Sequence, residues 1–387
     1  MEEARRKAKG PLAGLRVVEM AGMGPVPFCG MLFADMGADL LTIDAPSGRT
    51  SRMPLPPSAD PLFRGRSRLV LDLKPPGVAD ALLGVVARAD VLLEGFRPGV
   101  MEQLGLGPEP CLARNPRLVY GRISGWGREG PLATVAGHDP NYLAVTGALF
   151  SIGYPDRPPS QPLTAVGDFG GGGLYLGLGV LAAVLHAREG GEGQVVDAAI
   201  VDGVASLLTN IYGMRNAGLW EDRRFSNPID GGCPFGGSYE TADGRHVTVA
   251  AMEPKFYQNF LKGLGLDPAE LPVRERKENW PALRERFAAA FRTKTRDEWA
   301  AVFEGVDACV SPVLDLGEAP RYPQNVARGV FVEVDGKPVP GAAPRFRGTP
   351  TGVAPAKAGP VREVLASWGV AEATVDLLCA VEGGAAG

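Results

Sequence analysis

The first half of the chain alternates short apolar runs, rich in β-branched residues, with segments in which apolar residues recur at helical spacing. The apolar runs each predict a strand, and they lie at 15–20, 39–44, 69–73, 91–94 and 118–122. The helical segments fall between them, at 29–37, 78–88 and 108–114. Such alternation is typical of βαβ units and predicts a parallel sheet with helices on its faces.

Two longer helical patterns follow at 141–149 and 173–188, then a strand at 194–197 and a long helix at 198–219. Residues 169–187 contain no Asp, Glu, Lys or Arg, so this stretch nominally reaches the length of a membrane span. Because it holds six glycines and a histidine, we interpret it instead as a buried helix entered through a glycine turn.

The pattern changes after about residue 225. Residues 237–250 predict a hairpin that turns at Asp243-Gly244. The later segments predict helices at 255–264, 280–292 and 296–303, a strand at 308–313 and, after a Pro- and Gly-rich stretch that begins near 320, a helix at 361–368. The chain is therefore expected to be an α/β protein, with a Rossmann-like large domain and a smaller α+β domain.

The expected boundaries follow from these changes of pattern. The large domain spans 1–200, a linker helix 201–225, the small domain 226–320, and a return segment at 321–387 packs on the large domain.

Composition narrows the class of protein. The chain has 387 residues, 45% hydrophobic and 22% charged, which is ordinary for a globular protein. Its net charge of −4 provides no positive field for nucleic acid. Five scattered cysteines without a C-x-x-C disfavour a disulfide framework or a zinc site. The charged residues 1–9 lead into no apolar segment, so we expect no export signal and a cytoplasmic location.

A glycine turn after the first predicted strand partly matches a dinucleotide-binding fingerprint. Gly22 and Gly24 follow the strand, and Asp44 ends the next one. Pro25 and Pro27 would remove backbone N–H groups that hold a pyrophosphate at a helix start. We therefore interpret the segment as a turn, and expect no nicotinamide cofactor.

Only three histidines are available for chemistry. His186 is interpreted as a helix-end residue and His246 as a cross-strand surface partner in the hairpin. His138 lies in a polar cluster that opens a helix, with Asp139 and Asn141 as candidate caps. Backbone N–H groups at such a helix start could stabilise an oxyanion, although a purely structural cap remains the competing interpretation.

Two carboxylates also stand at junctions. Asp168 precedes four glycines and a helix, where the backbone can approach a ligand closely. The alternative is an N-cap above a flexible turn. Glu253 stands between a predicted strand and a helix, with Pro254 suited to the first helical position. The alternative there is a carboxylate placed favourably at a helix start.

Several short strings follow one another over about residues 11–350. They are LAGLRVVE (12–19), MGAD (36–39), EGFRPGV (94–100), LGLG (104–107), GWG (125–127), GHD (137–139), GDFGG (167–171), VVDA (195–198) and EP (253–254). In this order they resemble the α-methylacyl-CoA racemases of the family III CoA-transferase superfamily.

The resemblance implies an interlocked homodimer whose active sites each lie between the large domain of one chain and the small domain of the other. His138 and Asp168 resemble the two catalytic acid/base residues, and Glu253 resembles a carboxylate that pairs with the histidine from the partner chain. The residues that resemble the CoA-contacting set are Leu71, Asp72, Leu73, Lys74, Arg97, Gly137, Asp139, Asn141 and Tyr142.

These residue types suit inversion at the carbon beside a thioester. One group must remove a proton from one face while another returns a proton to the other face, and each works best with a pKa near the working pH. The unperturbed pKa of a histidine is ~6.5, whereas the pKa of Asp168 would have to be raised by its surroundings from the ordinary aspartate value of ~3.9. The expected substrate is a 2-methylacyl-CoA thioester, and no metal or other cofactor is required.

The chain also departs from the resembled family. Ala45 and Gln103 stand where an Arg is usual, and Thr164 replaces a common Asn. Either the arginines at 64, 66 and 68, which are near enough in sequence, replace the lost phosphate-directed charge, or the CoA tail binds differently.

Three rival functions remain. A family III CoA transferase would use Asp168 as a nucleophile and has no need of a histidine at 138. A non-catalytic acyl-CoA-binding protein would not need His138, Asp168 and Glu253 together. A dehydrogenase is weakened by the two prolines of the glycine turn.

Overall fold

Six parallel strands form one sheet in the computed structural model of the chain, which describes residues 10–46, 60–354 and 359–382. The strands are β1 (Arg16–Met20), β2 (Asp39–Asp44), β3 (Arg66–Val70), β4 (Val91–Glu94), β5 (Val119–Ser124) and β6 (Gln194–Ala199). Their spatial order is β3-β2-β1-β4-β5-β6, and all neighbours pair in parallel. This is the order of a doubly wound nucleotide-binding sheet, so the predicted Rossmann-like parallel sheet is confirmed.

Helices connect these strands. They are α1 (Pro25–Asp35), α2 (Val78–Val86), α3 (Val100–Gln103), α4 (Pro108–Arg114), α5 (Asp139–Val145), α6 (Leu174–Arg188) and α7 (Ile200–Leu207). A π-helix, Ala165–Gly173, runs directly into α6. Strands β2 and β4 are almost continuously buried, as expected where helices cover both faces of a parallel sheet.

One strand was predicted at 69–73 but begins three residues earlier, at Arg66. The apolar pattern missed its start because two arginines occupy the strand. The guanidinium of Arg66 is buried against the carboxylate of Glu19, at 2.9 Å, so a charged residue stands at a core position. Leu71, placed inside the predicted strand, follows the observed one and belongs to the core.

A smaller unit contains an antiparallel sheet of three strands, β7 (Ser238–Glu240), β8 (His246–Val249) and β9 (Val310–Pro312). Its helices are α8 (Thr209–Asn216), α9 (Pro254–Leu264), α10 (Trp280–Phe291) and α11 (Arg296–Val302), and α12 (Pro323–Arg328) lies where it ends. The hairpin of β7 and β8 turns through Gly244, whose φ is +73°, as predicted. His246 is exposed and pairs with Glu240 across the hairpin, which confirms its surface role.

The last part of the described chain adds a hairpin of β10 (Phe331–Val334) and β11 (Lys337–Pro340), then α13 (Val361–Ser367) and α14 (Glu372–Val381). Leu365 of α13 and Leu378 of α14 are buried in one core with Val18 of β1 and Leu41 of β2. The short 3₁₀ helices lie at Pro61–Phe63, Leu149–Ser151, Pro268–Glu270, Lys277–Asn279 and Ala319–Arg321.

The two compact units have other boundaries than the expected domains 1–200, 201–225, 226–320 and 321–387. Among described residues, the first unit takes those up to 146, 163–208 and those from 328 on, and the second takes 147–162 and 209–327. The segment 147–162 belongs with the second unit, where Arg224 donates hydrogen bonds to the carbonyls of Phe150, Tyr154 and Arg157.

The predicted helix at 198–219 is in fact the end of β6 followed by two helices. Ala198 and Ala199 extend the strand pairing with β5, α7 ends at Leu207, and α8 begins at Thr209. The division between the two units falls at this break.

The π-helix and α6 form one apolar stretch, Ala165–Arg188, long enough to cross a membrane by length and composition. Of its most apolar window 44% is buried within the protein, and a core helix passes the same test. One face of α6 is buried and includes Leu176, Val180 and Val184, but Leu178 on another face is 69% exposed, so the predicted buried helix is only partly correct. The glycines that precede α6 form a π-helix and not the predicted turn. His186 is exposed in the last turn, as expected for a helix-end residue.

Candidate active site

The site lies at the edge of the parallel sheet where its strands end. Strands β1 and β4 are neighbours, and the chain leaves them toward opposite halves of the sheet. In open parallel sheets a crevice forms at this switch point and binds ligands. The glycine turn 22–24 follows β1, and the segment 95–99 follows β4.

His138 is the N-cap residue of α5 and has an extended backbone, with φ −133° and ψ 173°. Its backbone N–H donates a hydrogen bond to Oδ1 of Asn141 at 2.9 Å, and its carbonyl accepts the N–H of Asn141. The side chain of His138 is exposed. The predicted capping role of Asn141 is thus confirmed, and the cap leaves the imidazole at the surface of the first unit.

The carboxylate of Asp139 binds the backbone of another segment, which the sequence analysis missed. It is 4% exposed, and its carboxylate accepts hydrogen bonds from the backbone N–H groups of Asp168, at 2.8 Å, and Gly167. A Cβ on Gly167 would collide with this carboxylate, so only glycine allows so close an approach. The residue after His138 is therefore bound to the backbone of Asp168.

Asp168 lies within the π-helix and is half-buried, not an N-cap above a flexible turn. The glycines after it pack tightly, because a Cβ on Gly171 would press on the backbone of Val204 in α7. Phe169 stacks on Phe28 of α1 with ring centroids 4.4 Å apart. The four-glycine run thus seats Asp168 between helices, and π-helical turns of this kind recur at functional sites.

The glycine turn after β1 also belongs to the site. A Cβ on Gly24 would lie 2.6 Å from Oδ2 of Asp168, so the turn lies against the carboxylate. The sequence analysis had treated this turn as an ordinary one. Its closeness to Asp168 depends on a contact between distant segments, which no local pattern encodes.

Burial raises the pKa of Asp168 to about 6, and the charge of Asp139 adds to this while the charge of His138 opposes it. The pKa of Asp139 is raised by burial, against the two backbone hydrogen bonds that favour its charged form. A carboxyl group with a pKa near 6 can both accept and donate protons near neutral pH. Asp168 therefore has the property that general acid/base work requires.

Tyr142 forms one wall of the same region. Its ring meets Trp126 edge to face with centroids 4.8 Å apart, and its hydroxyl donates to the carbonyl of Gly137. Burial raises the pKa of Tyr142 to about 12, the charge of Asp168 also raises it, and the charge of Arg97 lowers it. The exposed Arg97 and the predicted residues Gly137 and Tyr142 are thus brought together near Asp168.

The segment 71–74 follows β3, at the same edge of the sheet but two strands from β1. Leu71 is fully buried in the core, so its side chain is not available to a ligand. Asp72 and Leu73 are half-buried, and the exposed Lys74 has its backbone N–H bound to Oδ1 of Asp72 at 3.2 Å.

The expectation that Arg64 or Arg66 replaces a missing phosphate-directed charge is wrong. Nε of Arg64 donates to Asp35 at 2.9 Å, and Arg66 pairs with Glu19, both in the interior. The paired carboxylates offset the free-energy cost of burying these guanidinium groups. Because the charges of Arg64 and Arg66 are neutralised in this way, neither arginine can bind a phosphate. The third arginine, at position 68, is 39% exposed and ion-paired with a carboxylate at the end of β2.

Glu253 lies in the second unit, at the junction of β8 and α9. It is the N-cap residue of α9, with Pro254 following at the first helical position, and its side chain is exposed. Its carbonyl accepts the backbone N–H of Tyr257. The junction and the helix start were both predicted, and the structure agrees with them.

Glu94 at the end of β4 is a further polar residue that the sequence analysis did not single out. It is 1% exposed, and burial raises its pKa to about 7. Its carboxylate accepts the N–H of Phe96 at 2.7 Å and faces Arg128 at 3.5 Å, which orders the segment before Arg97. Within the described ranges, His, Cys, Asp and Glu form no cluster of three that could hold a metal ion.

Comparisons with known proteins add to this geometry. The family model described as CoA-transferase family III matches residues 12–361. α-Methylacyl-CoA racemase of Mus musculus is 45% identical over 341 residues, covering 88% of this chain and 87% of that protein. The human protein of that name is 44% identical over 340 residues, with the same coverage. The crystal structure of a CAIB/BAIF family protein from Brucella suis has a TM-score of 0.79 at 26% identity, covering 93% of this chain and 98% of that one.

Proposed function

This chain belongs to CoA-transferase family III, and on that premise we propose that it is an isomerase that inverts the α-carbon of 2-methylacyl-CoA thioesters. Identity of 44–45% to racemases of such thioesters supports the activity. The observation that carries the mechanism is the placement of Asp168, which is half-buried in the π-helix, is bound through its backbone N–H to the residue after His138, and has its pKa raised by burial to about 6. A carboxyl group of this kind can exchange protons near neutral pH, and His138 is the second acid/base group that we propose.

In this mechanism the proton on the α-carbon passes to one of the two groups, and the C–H electron pair moves into the thioester to form an enolate. The other group then donates its proton to the opposite face of the carbon, so the configuration is inverted and the number of protons is conserved. The pair of His138 and Asp168 must carry one proton in total before each turnover. The reverse reaction exchanges their roles.

The enolate oxygen needs a hydrogen-bond donor. At the start of α5, Pro140 has no N–H and the N–H of Asn141 donates to the carbonyl of His138 at 2.8 Å. Among the described residues of this turn, the N–H of Asp139 is the donor that we assign to the enolate. This refines the expectation that several helix-start N–H groups act together.

CoA is part of the substrate, and no metal, flavin or nicotinamide is proposed. Its contacts are proposed at the segment 71–74, through backbone and Lys74, at Arg97, and at 137–142. Support comes from their common position at the carboxyl edge of the sheet, and from the exposure of the Lys74 and Arg97 cations. A cation at each position suits the phosphate groups of CoA.

We further propose a homodimer in the cytoplasm, with sites shared between chains and no nucleic-acid or membrane partner. Leu174, Leu178 and Leu185 of α6 are 50%, 69% and 60% exposed on one helical face. Such an apolar face is typical of an interface. In this arrangement Glu253 of the second chain pairs with His138 and fixes its tautomer. Co-expression of inactive His138→Ala and Glu253→Gln chains should restore activity, because one of the two sites in a mixed dimer is intact.

The transferase alternative is less well supported. A transferase would attack with Asp168, form a mixed anhydride and then an aspartyl-CoA thioester, and would give His138 no role. The closer identity to racemases favours proton transfer.

The test uses single enantiomers of a 2-methylacyl-CoA in deuterated water. We expect both enantiomers to reach the same mixture while the α-proton is replaced by deuterium. His138→Ala and Asp168→Ala should abolish inversion, with unchanged unfolding curves. Formation of a second CoA ester from an added carboxylic acid, with the configuration unchanged, would instead establish a transferase.

A further inference from the structure

The proposed proton transfers demand that His138 and Asp168 keep a fixed separation, yet the two lie on different segments. His138 caps α5, whereas Asp168 lies on the π-helix. The buried carboxylate of Asp139 joins the two, since it follows His138 directly and accepts backbone hydrogen bonds from Gly167 and Asp168.

We propose that Asp139 is a positioning residue, whose carboxylate holds the backbone of Asp168 at a set distance from His138. The proposal rests on the function proposed above and adds a role for a side chain that touches neither the α-carbon nor its protons. Hydrogen bonds from two backbone amides to one carboxylate are charge-assisted, and so stronger than neutral ones. A short link of this kind gives the orientation on which proton transfer depends.

The surroundings are shaped for this link. Gly167 has no Cβ to collide with the carboxylate of Asp139, and Gly24 lies against the carboxylate of Asp168, at its Oδ2. Asp168 is therefore held between Asp139 behind its backbone and the glycine turn at its carboxylate. A shift at either contact would move the carboxylate relative to the imidazole.

The charge of Asp139 also affects the pKa of Asp168, which can be measured. The charge of Asp139 raises the pKa of Asp168, after burial, and the charge of His138 lowers it. Tyr142 of α5 and, through Tyr142, Arg97 after β4 are the other titratable groups linked to this site. The neighbouring elements α1 and α7 pack against the π-helix through apolar groups, namely Pro25, Phe28, Ile200 and Val204.

The first variant is Asp139→Asn, which keeps the shape and one acceptor oxygen but removes the charge and one acceptor. We expect kcat to fall by about a hundredfold, as for a misplacement of about 1 Å, with little change in KM. Among product molecules that have exchanged their α-proton, the fraction that keeps its original configuration should be larger than with the wild type. The reason is that the second acid/base group no longer reaches the opposite face of the α-carbon. The acid limb of the rate profile should move to lower pH. Asp80→Asn, an exposed aspartate in the first turn of α2, is the matched control and should match the wild type.

The second variant is Gly167→Ala, which disturbs the same contact without altering a charge. It should also raise the fraction of exchanged product that retains its configuration. It should not shift the acid limb of the rate profile, because the charge of Asp139 is still present. This variant tests the positioning role even where Asp139→Asn folds poorly. The proposal would be overturned if the wild type inverts its substrate and both variants give the same fraction of exchanged product with retained configuration as the wild type. A wild type that inverts no 2-methylacyl-CoA would overturn the proposed function instead.

Discussion

Replacement of Gly24 by alanine tests whether the glycine turn after β1 shapes the seat of Asp168. Gly24 has φ 65° and ψ −111°, and a Cβ there would lie 2.6 Å from Oδ2 and 3.3 Å from Cγ of Asp168. Carbon and oxygen atoms that are not bonded need about 3.3 Å or more. The carboxylate or the turn must therefore move by about 0.7 Å, which is the difference between this contact limit and the distance of 2.6 Å from the Cβ to Oδ2.

Two effects with different magnitudes follow. Alanine in this backbone conformation costs about 1–3 kcal/mol of stability, since side chains rarely adopt it. A displacement approaching 1 Å at a reacting group costs about a hundredfold in kcat. We therefore expect Gly24→Ala to lose both stability and turnover, and KM to change much less because the proposed CoA contacts are elsewhere.

Gly77→Ala separates the two effects. Gly77 is also an N-cap residue with positive φ, +84°, but nothing lies within 4 Å of a Cβ there. Urea unfolding should show a loss of stability for both variants, larger for Gly24→Ala because its Cβ also meets Asp168, whereas racemisation should fall only for Gly24→Ala. If Gly24→Ala keeps wild-type kcat, or if Gly77→Ala loses as much turnover, the reasoning about this contact is wrong.

Three further results are expected. The acid limb of kcat/KM should have an apparent pKa near 6, because protonation of Asp168 removes a base that the proton transfer needs, and a limb near 4 would contradict the raised pKa. Arg66→Leu should destabilise the fold by about 3–5 kcal/mol in urea, since the Glu19 carboxyl group would be left buried without its partner, whereas the exposed Arg88→Ala should change little. Arg97→Ala should raise KM for acyl-CoA about tenfold with kcat nearly unchanged, and an unchanged KM would remove it from the binding set.

Much of the fold could be predicted because local patterns carry it. Strands β2 and β4 lie where continuous apolar runs placed them, since strands buried on both faces need apolar residues throughout. The hairpin turn at Asp243-Gly244 followed from the positive φ that glycine adopts easily. Strand β3 was displaced because Arg66 looks polar in the sequence, although its charge is neutralised within the core.

The site was predicted in its residue types but not in its connections. His138 and Asp168 stood out as polar residues at helix starts and glycine-rich segments, and their order along the chain resembled a known family. The link from Asp139 to Asp168 spans 29 residues, and the contact of Gly24 with Asp168 spans a larger interval. Periodicity extends over only a few residues, so it does not report such contacts.

The sequence by itself determined the alternation of strands and helices, the net negative charge, and the identity of the candidate acid/base groups. The tertiary structure decided which of these groups meet, and in what electrostatic environment. Burial raises the pKa of Asp168, and the ion pairs of Arg64 and Arg66 withdraw their charges from any ligand. Desolvation and pairing depend on every segment that packs around a group, whereas local propensity depends only on its neighbours in the chain.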